Sequence, residues 1–219
     1  MSGTISTQDN LFAQAVIFNE VCYAISVIED VKNMNSLRSK RLFTTTEYYK
    51  LLEIGVLKES DRVELIDGEI IIMPPIGLRH FASVKRLNSF LSKKSFSVAI
   101  IGVVNPIHLN HYSELQPDIS IIKFRDDYYA SGHPEPEDTL IAIEVADSSV
   151  DYDRQVKIPK YAEAGIPEAW LVDLINDRIE IYALPTEGIY QEIRIVLRHQ
   201  KIISRTLPQL ELNAEDILG

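Results

Sequence analysis

Cysteine is nearly absent from this chain, with one, Cys22, in 219 residues. A single thiol excludes an intrachain disulfide framework and fits a reducing compartment, so a cytoplasmic location is expected. Basic residues are also short: 22 Lys and Arg stand against 32 Asp and Glu, for a net charge of −10. That balance excludes a protein that coats nucleic acid by charge alone, which needs clustered Lys and Arg. It leaves room for a local basic face. Long uninterrupted apolar runs are missing too. The longest candidate, residues 11–28, is broken by Gln14, Asn19 and Glu20, and no Lys or Arg precedes it. It therefore lacks the basic n-region of a secretory signal. Three readings stay open for this stretch: a weak membrane span, a helix packed on the domain or on a partner, or a mis-assigned start, with Met34 the functional first residue. The reading adopted is an N-terminal helical or disordered extension over 1–33, one folded domain over 34–219, and no membrane. Internal repeats and low-complexity tracts are absent.

What is present is ordinary globular composition, 46% hydrophobic and 25% charged, on a chain long enough to bury a core without staples. Thr44 followed three residues on by Glu47 is a capping box. It opens a short helix to about Glu53, stopped by Gly55. Asp67-Gly68 between two β-rich runs is a hairpin turn, and the hairpin carries Glu64 and Glu69. Residues 78–94 read as an amphipathic helix, with His80, Val84, Leu87 and Leu91 on one face. Arg79, Lys85, Arg86 and Lys93 form a basic stripe elsewhere on it, a candidate nucleic-acid contact or a solvated helix face. Residues 97–109 give two short strands broken near Gly102 or Asn105-Pro106. Residues 124–138 form a polar loop long enough to cover a site.

Two apolar strands each carry a lone acid: residues 115–122 with Asp118, and residues 140–145 with Glu144. A carboxylate buried alone is costly, so each implies a metal or a hydrogen-bonding partner. Asp153 is a candidate cap for a helix running to Ala164 and stopped by Gly165. Pro159 requires that helix to begin near Ile158 or to bend there. Either way Lys157 falls near its start. Strands over 169–173, 178–182, 190–197 and 202–204 lead to a polar C-terminus. The sum is a mixed α/β domain with a central sheet and flanking helices.

The acids are the right hard-oxygen type for Mg²⁺ or Mn²⁺, which keep several waters and need only one to three carboxylates. Asp118, Glu144 and the Val145 carbonyl are the candidate ligands, with Glu64 or Glu69 orienting a water. Lys157 would act on the attacking water or on developing charge, and His80 would assist. Each has a plainer reading alone: Glu144 ion-paired to Lys157 or Arg154, His80 a hydrogen-bonded helix-start residue.

Pro117-Asp118, a spacer, and Glu144-Val145-Ala146 resemble the PD-(D/E)XK nuclease superfamily, although Ala146 stands where that pattern has lysine. The series Glu144-Val145, Asp153-Arg154, Lys157, Tyr161, Ala164-Gly165-Ile166-Pro167-Glu168 and Trp170-Leu171-Val172-Asp173 is similar to the Uma family of endonucleases, once a domain of unknown function. Glu64 to Glu69, His80 and the closing 210–218 segment fit the same pattern. The resemblance covers about 41–219. It implies a restriction-endonuclease-like fold, with the lysine moved to the following helix at Lys157. It also implies divalent-metal-dependent cleavage of DNA, by a homodimer as nucleases of this fold often are. The alternative is an inactive nuclease-fold module that binds nucleic acid or regulates.

Overall fold

The structure, a computed structural model, describes residues 40–58, 60–94 and 99–219. The chain divides into two units, 1–41 and 42–219. The extension read over 1–33 lies outside the described residues. Among the described residues no helix is long and apolar enough to cross a membrane.

The second unit opens with α1 (Thr45–Glu53), and its capping box forms as the sequence implies. The Glu47 amide donates to Thr44 Oγ1 at 3.1 Å and the Thr44 amide to Glu47 Oε2 at 3.0 Å. Strands β1 (Val63–Ile66) and β2 (Glu69–Ile72) follow as the expected hairpin. Asp67 and Gly68 both have positive φ, the requirement of a type I′ turn. A Cβ at Gly68 would stand 2.6 Å from Leu42 Cβ, so only glycine fits there. Helix α2 (Leu78–Lys93) buries Val84, Leu87 and Leu91 on one stripe.

Strands β3 (Ala99–Val103) and β4 (Ile107–Asn110) break at residues 104–106, with Gly102 inside β3. The stretch expected as one Asp118-bearing strand is two. It splits into β5 (Ser113–Leu115) and β6 (Ile119–Lys123), which belong to different sheets. Pro117 supplies no backbone donor, so the ladder stops there. The Gln116-Pro117-Asp118 bridge is what carries Asp118.

Strand β7 (Thr139–Ala146) is buried on both faces. Ile141, Ile143 and Val145 pack against the α2 stripe, while Ala142 and Ala146 face the second cluster with Tyr161 and Ala162. The small Ala142 and Ala146 let a helix approach closely on either side of Glu144. That helix is the crossover a parallel pair requires, and β7 and β8 (Glu168–Asp173) are parallel neighbours. It runs as α3 (Val150–Tyr152), a π turn (Asp153–Lys157) and α4 (Ile158–Glu163). Asp153 is therefore inside the helical run, not its cap. Pro159 directly follows the π turn, where the hydrogen-bond register of the helical run changes.

Strands β9 (Arg178–Thr186) and β10 (Ile189–Leu197) complete a six-stranded mixed sheet, ordered β10-β9-β8-β7-β6-β3. A four-stranded sheet, β2-β1-β5-β4, stands beside it. The C-terminus, read as polar, is an amphipathic packing element instead. Strand β11 (Lys201–Ile203) pairs with β12 (Glu211–Asn213), which leads into α5 (Ala214–Leu218). Leu210, Leu212, Ile217 and Leu218 are buried in the main core. Ser83 and Arg86 of α2 donate to the Ile217 carbonyl at 2.9 and 3.1 Å.

Candidate active site

The edge where the two sheets meet holds a cavity of about 430 Å³. Five carboxylates line it, Glu64, Asp118, Glu144, Asp147 and Asp153, against Lys157, Arg62 and His80. β1 contributes Glu64, the β5–β6 bridge Asp118, β7 Glu144, and the π turn both Asp153 and Lys157. The wide π turn sets Asp153 and Lys157 four residues apart on the side facing the sheets.

Lys157 is 4% exposed. Its Nζ lies 2.7 Å from Glu144 Oε1 and 2.9 Å from Glu64 Oε1, and donates to the Gln116 carbonyl at 3.3 Å. Tyr161, one helical turn on, donates to the same Glu144 oxygen at 2.5 Å. The Gln116 amide donates to Glu64 Oε1 at 2.8 Å. Asp118 Oδ2 accepts from the Val145 amide at 2.8 Å and meets His80 Nε2 at 2.9 Å. Among the described residues the buried Nδ1 of His80 has no hydrogen-bond partner. Ser149 donates to Asp153 at 2.6 Å.

One ammonium cannot neutralise so many acids, and the titration behaviour follows. Burial lifts the Glu144 carboxyl well above the usual carboxylate range; Lys157 opposes this, and Asp153, Asp118 and Glu64 add to it. Burial likewise raises Asp153. Burial would lower the Lys157 ammonium, but Glu144, Glu64 and Asp153 reverse the effect and hold it well above its ordinary value. Lys157 therefore stays protonated at neutral pH. In that form it can donate a hydrogen bond and neutralise charge.

The remaining sequence candidates divide. Glu64 lines the cavity and Glu69 does not. Arg79 stands at the mouth, donating to the Leu174 carbonyl at 2.7 Å and to Asp147 at 3.4 Å. Arg86 is tied to the chain end, donating to the carbonyls of Ile217 and Leu218. Lys85 and Lys93 lie over the rings of Phe81 and Phe90 at 5.2 and 5.6 Å. The long loop does not cover the cavity: no residue of 124–138 lines it. Tyr161, Asp153, Gln116 and Tyr152 had no site role in the sequence reading. The four-residue spacing of Asp153, Lys157 and Tyr161 is the signal that groups two of them with Lys157 on one helical face.

The residues fit a hard cation. Among the described residues no three His, Cys, Asp or Glu side chains gather into a ready-made metal group, but Mg²⁺ is held by one or two carboxylates and keeps its waters. Among the described residues the hydrogen bonds go to Asp118 Oδ2 and Glu144 Oε1, and none reaches Asp118 Oδ1 or Glu144 Oε2 of these two cavity-lining acids. The excess of carboxylates is what a divalent ion would offset.

The Uma2 family, described as "Putative restriction endonuclease", matches residues 45–215. Among solved structures, the chain is similar to a putative nuclease belonging to DUF820 from Anabaena variabilis. That match has a TM-score of 0.56 and 20% identity, over 77% of this chain and 96% of that one. At that identity the likeness bears on the fold, which is the restriction-endonuclease-like arrangement of a mixed sheet with flanking helices. No curated protein matches.

Proposed function

From the premise that the chain belongs to the Uma2 family, we propose that it is a divalent-metal-dependent endonuclease that hydrolyses phosphodiester bonds in DNA. Asp118 and Glu144 would hold Mg²⁺ or Mn²⁺, with the Val145 carbonyl as a third oxygen. A bound ion of this kind supplies an acidified water and a counter-charge for phosphoryl oxygens.

The chain's own groups do the rest. Lys157, protonated, fixes the Glu144 and Glu64 carboxylates and carries positive charge into the cavity, where a developing phosphoryl charge is stabilised. Tyr161 orients Glu144. His80 holds Asp118 in place through Nε2. The single observation behind this reading is the carboxylate excess around one buried lysine, with an open oxygen on each of two acids.

Purified protein incubated with DNA and Mg²⁺ or Mn²⁺ tests it. Cleavage is expected with the ion and is abolished by EDTA. Cleavage that survives Asp118→Ala and Glu144→Ala would overturn the assignment. The alternative, an inactive nuclease-fold module, draws on the acidic charge balance and on Ala146, which stands where the superfamily pattern has lysine. Folded protein that takes up no divalent ion at millimolar concentration in calorimetry would favour it.

A homodimer belongs to the same proposal. Edge strand β10 exposes Ile189, Ile193, Ile195 and Leu197, an apolar edge of the kind that pairs with another chain. Light scattering that finds only monomer at micromolar concentration removes this part.

A further inference from the structure

Between β2 and α2 the chain runs Ile72-Met73-Pro74-Pro75-Ile76-Gly77-Leu78, seven residues without a polar side chain. All but Met73 are exposed, and residues 71–77 line the carboxylate cavity. Ile72 is 82% exposed and Leu78 88%. Phe81, 53% exposed, follows Leu78 at helical spacing, and Lys85 lies over its ring at 5.2 Å. The cavity therefore has an apolar lip that continues as a strip of Leu78, Phe81 and Lys85 along the first turns of α2. The two prolines fix their φ and stiffen the lip.

Burying no core, such a lip costs solubility, and contiguous apolar surface at a site mouth marks what the site touches. Cations near the mouth are few. Arg62 donates to the Pro74 carbonyl at 2.5 Å, and Arg79 is held by Leu174 and Asp147. Duplex DNA offers a charged backbone outside and hides its base faces. Unpaired nucleotides offer those faces to apolar and aromatic side chains, and base stacking adds to what the backbone charges contribute. Enzymes that work on an extruded or unpaired nucleotide insert similar wedges.

We propose that the lip of Ile72, Ile76, Leu78 and Phe81, with Lys85 beside it, receives the bases of a single-stranded or locally unpaired nucleic acid, feeding that strand's phosphates to the acid cavity. The assignment rests on the nuclease reading for what happens in the cavity, but the lip's binding is measurable without cleavage.

The test uses full-length protein carrying Asp118→Asn and fluorescence anisotropy with a labelled single strand, the matching duplex, and a duplex with an unpaired bubble. The single strand and the bubble are expected to bind about tenfold or more tighter than the duplex. Replacing Ile72, Leu78 and Phe81 together by serine is expected to bring the single strand down to the duplex level with the melting temperature unchanged. Phe81→Trp supplies a second readout, a fluorophore quenched by a stacked base, distinguishable from the buried Trp170 by its exposure.

Equal affinity for duplex and single strand overturns the proposal. So does single-strand binding indifferent to the serine variant. A concentration-dependent mass that the serine variant abolishes also overturns it, since the lip would then be a protein contact. If wild-type protein cuts duplex and single strand equally, the lip assignment falls and the nuclease reading stands. If it cuts nothing with Mg²⁺ or Mn²⁺ while lip-dependent single-strand binding persists, the nuclease reading falls and the lip assignment stands.

Discussion

Arg154 and Lys157 stand on one π turn, three residues apart, and each enters a cluster of buried carboxylates. On the Arg154 side the charges balance. Arg154 donates to Glu180 at 3.0 and 2.9 Å and to Asp173 at 3.3 Å, and Arg178 meets the same two acids. Asn176 donates twice more to Asp173, and Tyr182 to Glu180. Burial alone would raise the Glu180 carboxyl, but Arg154 and Tyr182 hold it below its ordinary range. On the Lys157 side one ammonium meets Glu64 and Glu144 and acts on Asp153 only through space, and Glu144 and Asp153 are pushed up. A balanced cluster staples a helix to a sheet. An unbalanced one beside a cavity is where a cation or a reacting group is wanted.

The comparison can be broken most forcefully through activity. Asp118→Asn or Glu144→Gln should lower DNA cleavage at least about a hundredfold, the scale of losing one group that stabilises transition-state charge. Asp173→Asn in the balanced cluster should leave cleavage intact while lowering urea stability. Equal losses from both sides would erase the distinction.

Next comes stability. Lys157→Met leaves Glu64 and Glu144 without their shared cation and should cost about 3–5 kcal/mol in urea denaturation. Added Mg²⁺ should restore part of that loss if the acids hold the ion. Arg154→Ala should cost less, about 1–3 kcal/mol, because Arg178 still meets both acids and Arg154 is partly exposed.

Smaller effects separate the clusters by pH. Glu180 is held below its ordinary value of 4.5, so its contribution is present above that value and lost as pH falls through the folded value. Asp153 is held above its ordinary value of 3.8, so its contribution is complete below that value and lost as pH rises through the folded one. Melting curves in EDTA should therefore show Glu180→Gln flattening the acid limb and Asp153→Asn flattening the decline on the other side. The reverse pattern would contradict the assignment of balance. Smallest of all, Glu64→Gln should stabilise the metal-free protein by about 0.5–2 kcal/mol and weaken its thermal shift with Mg²⁺. A variant that loses stability instead would make Glu64 a structural partner of Lys157 only.

Much of the scaffold was legible in local chemistry. Thr44 and Glu47 announced α1, Asp67-Gly68 the hairpin, and the spacing of Val84, Leu87 and Leu91 the buried face of α2. Where local signals competed, reading failed. Asp118 sat in an apolar run that looked like one strand, and Pro117 alone divided it between two sheets. The C-terminal residues looked polar because alternation over three residues and one helical turn is too short to register, yet Leu212, Ile217 and Leu218 close the core. Asp153 resembled a cap because a π turn has no strong sequence signature.

By itself the sequence determined that acids of the right type stand on buried strands, that a lysine follows on a proline-marked helix, and that the residues from Glu64 to Asp173 fall in the family's order. Those are properties of short stretches, and propensity and spacing encode them. Only the tertiary structure decided that Glu64 and not Glu69 meets Lys157, that Arg86 serves the chain end, and that Arg154 and Lys157 part to different clusters. These are outcomes of sheet pairing and helix register, which bring together residues 93 apart in sequence, as Lys157 and Glu64 are. Charge balance at such a meeting is a property of the contact and of no single segment.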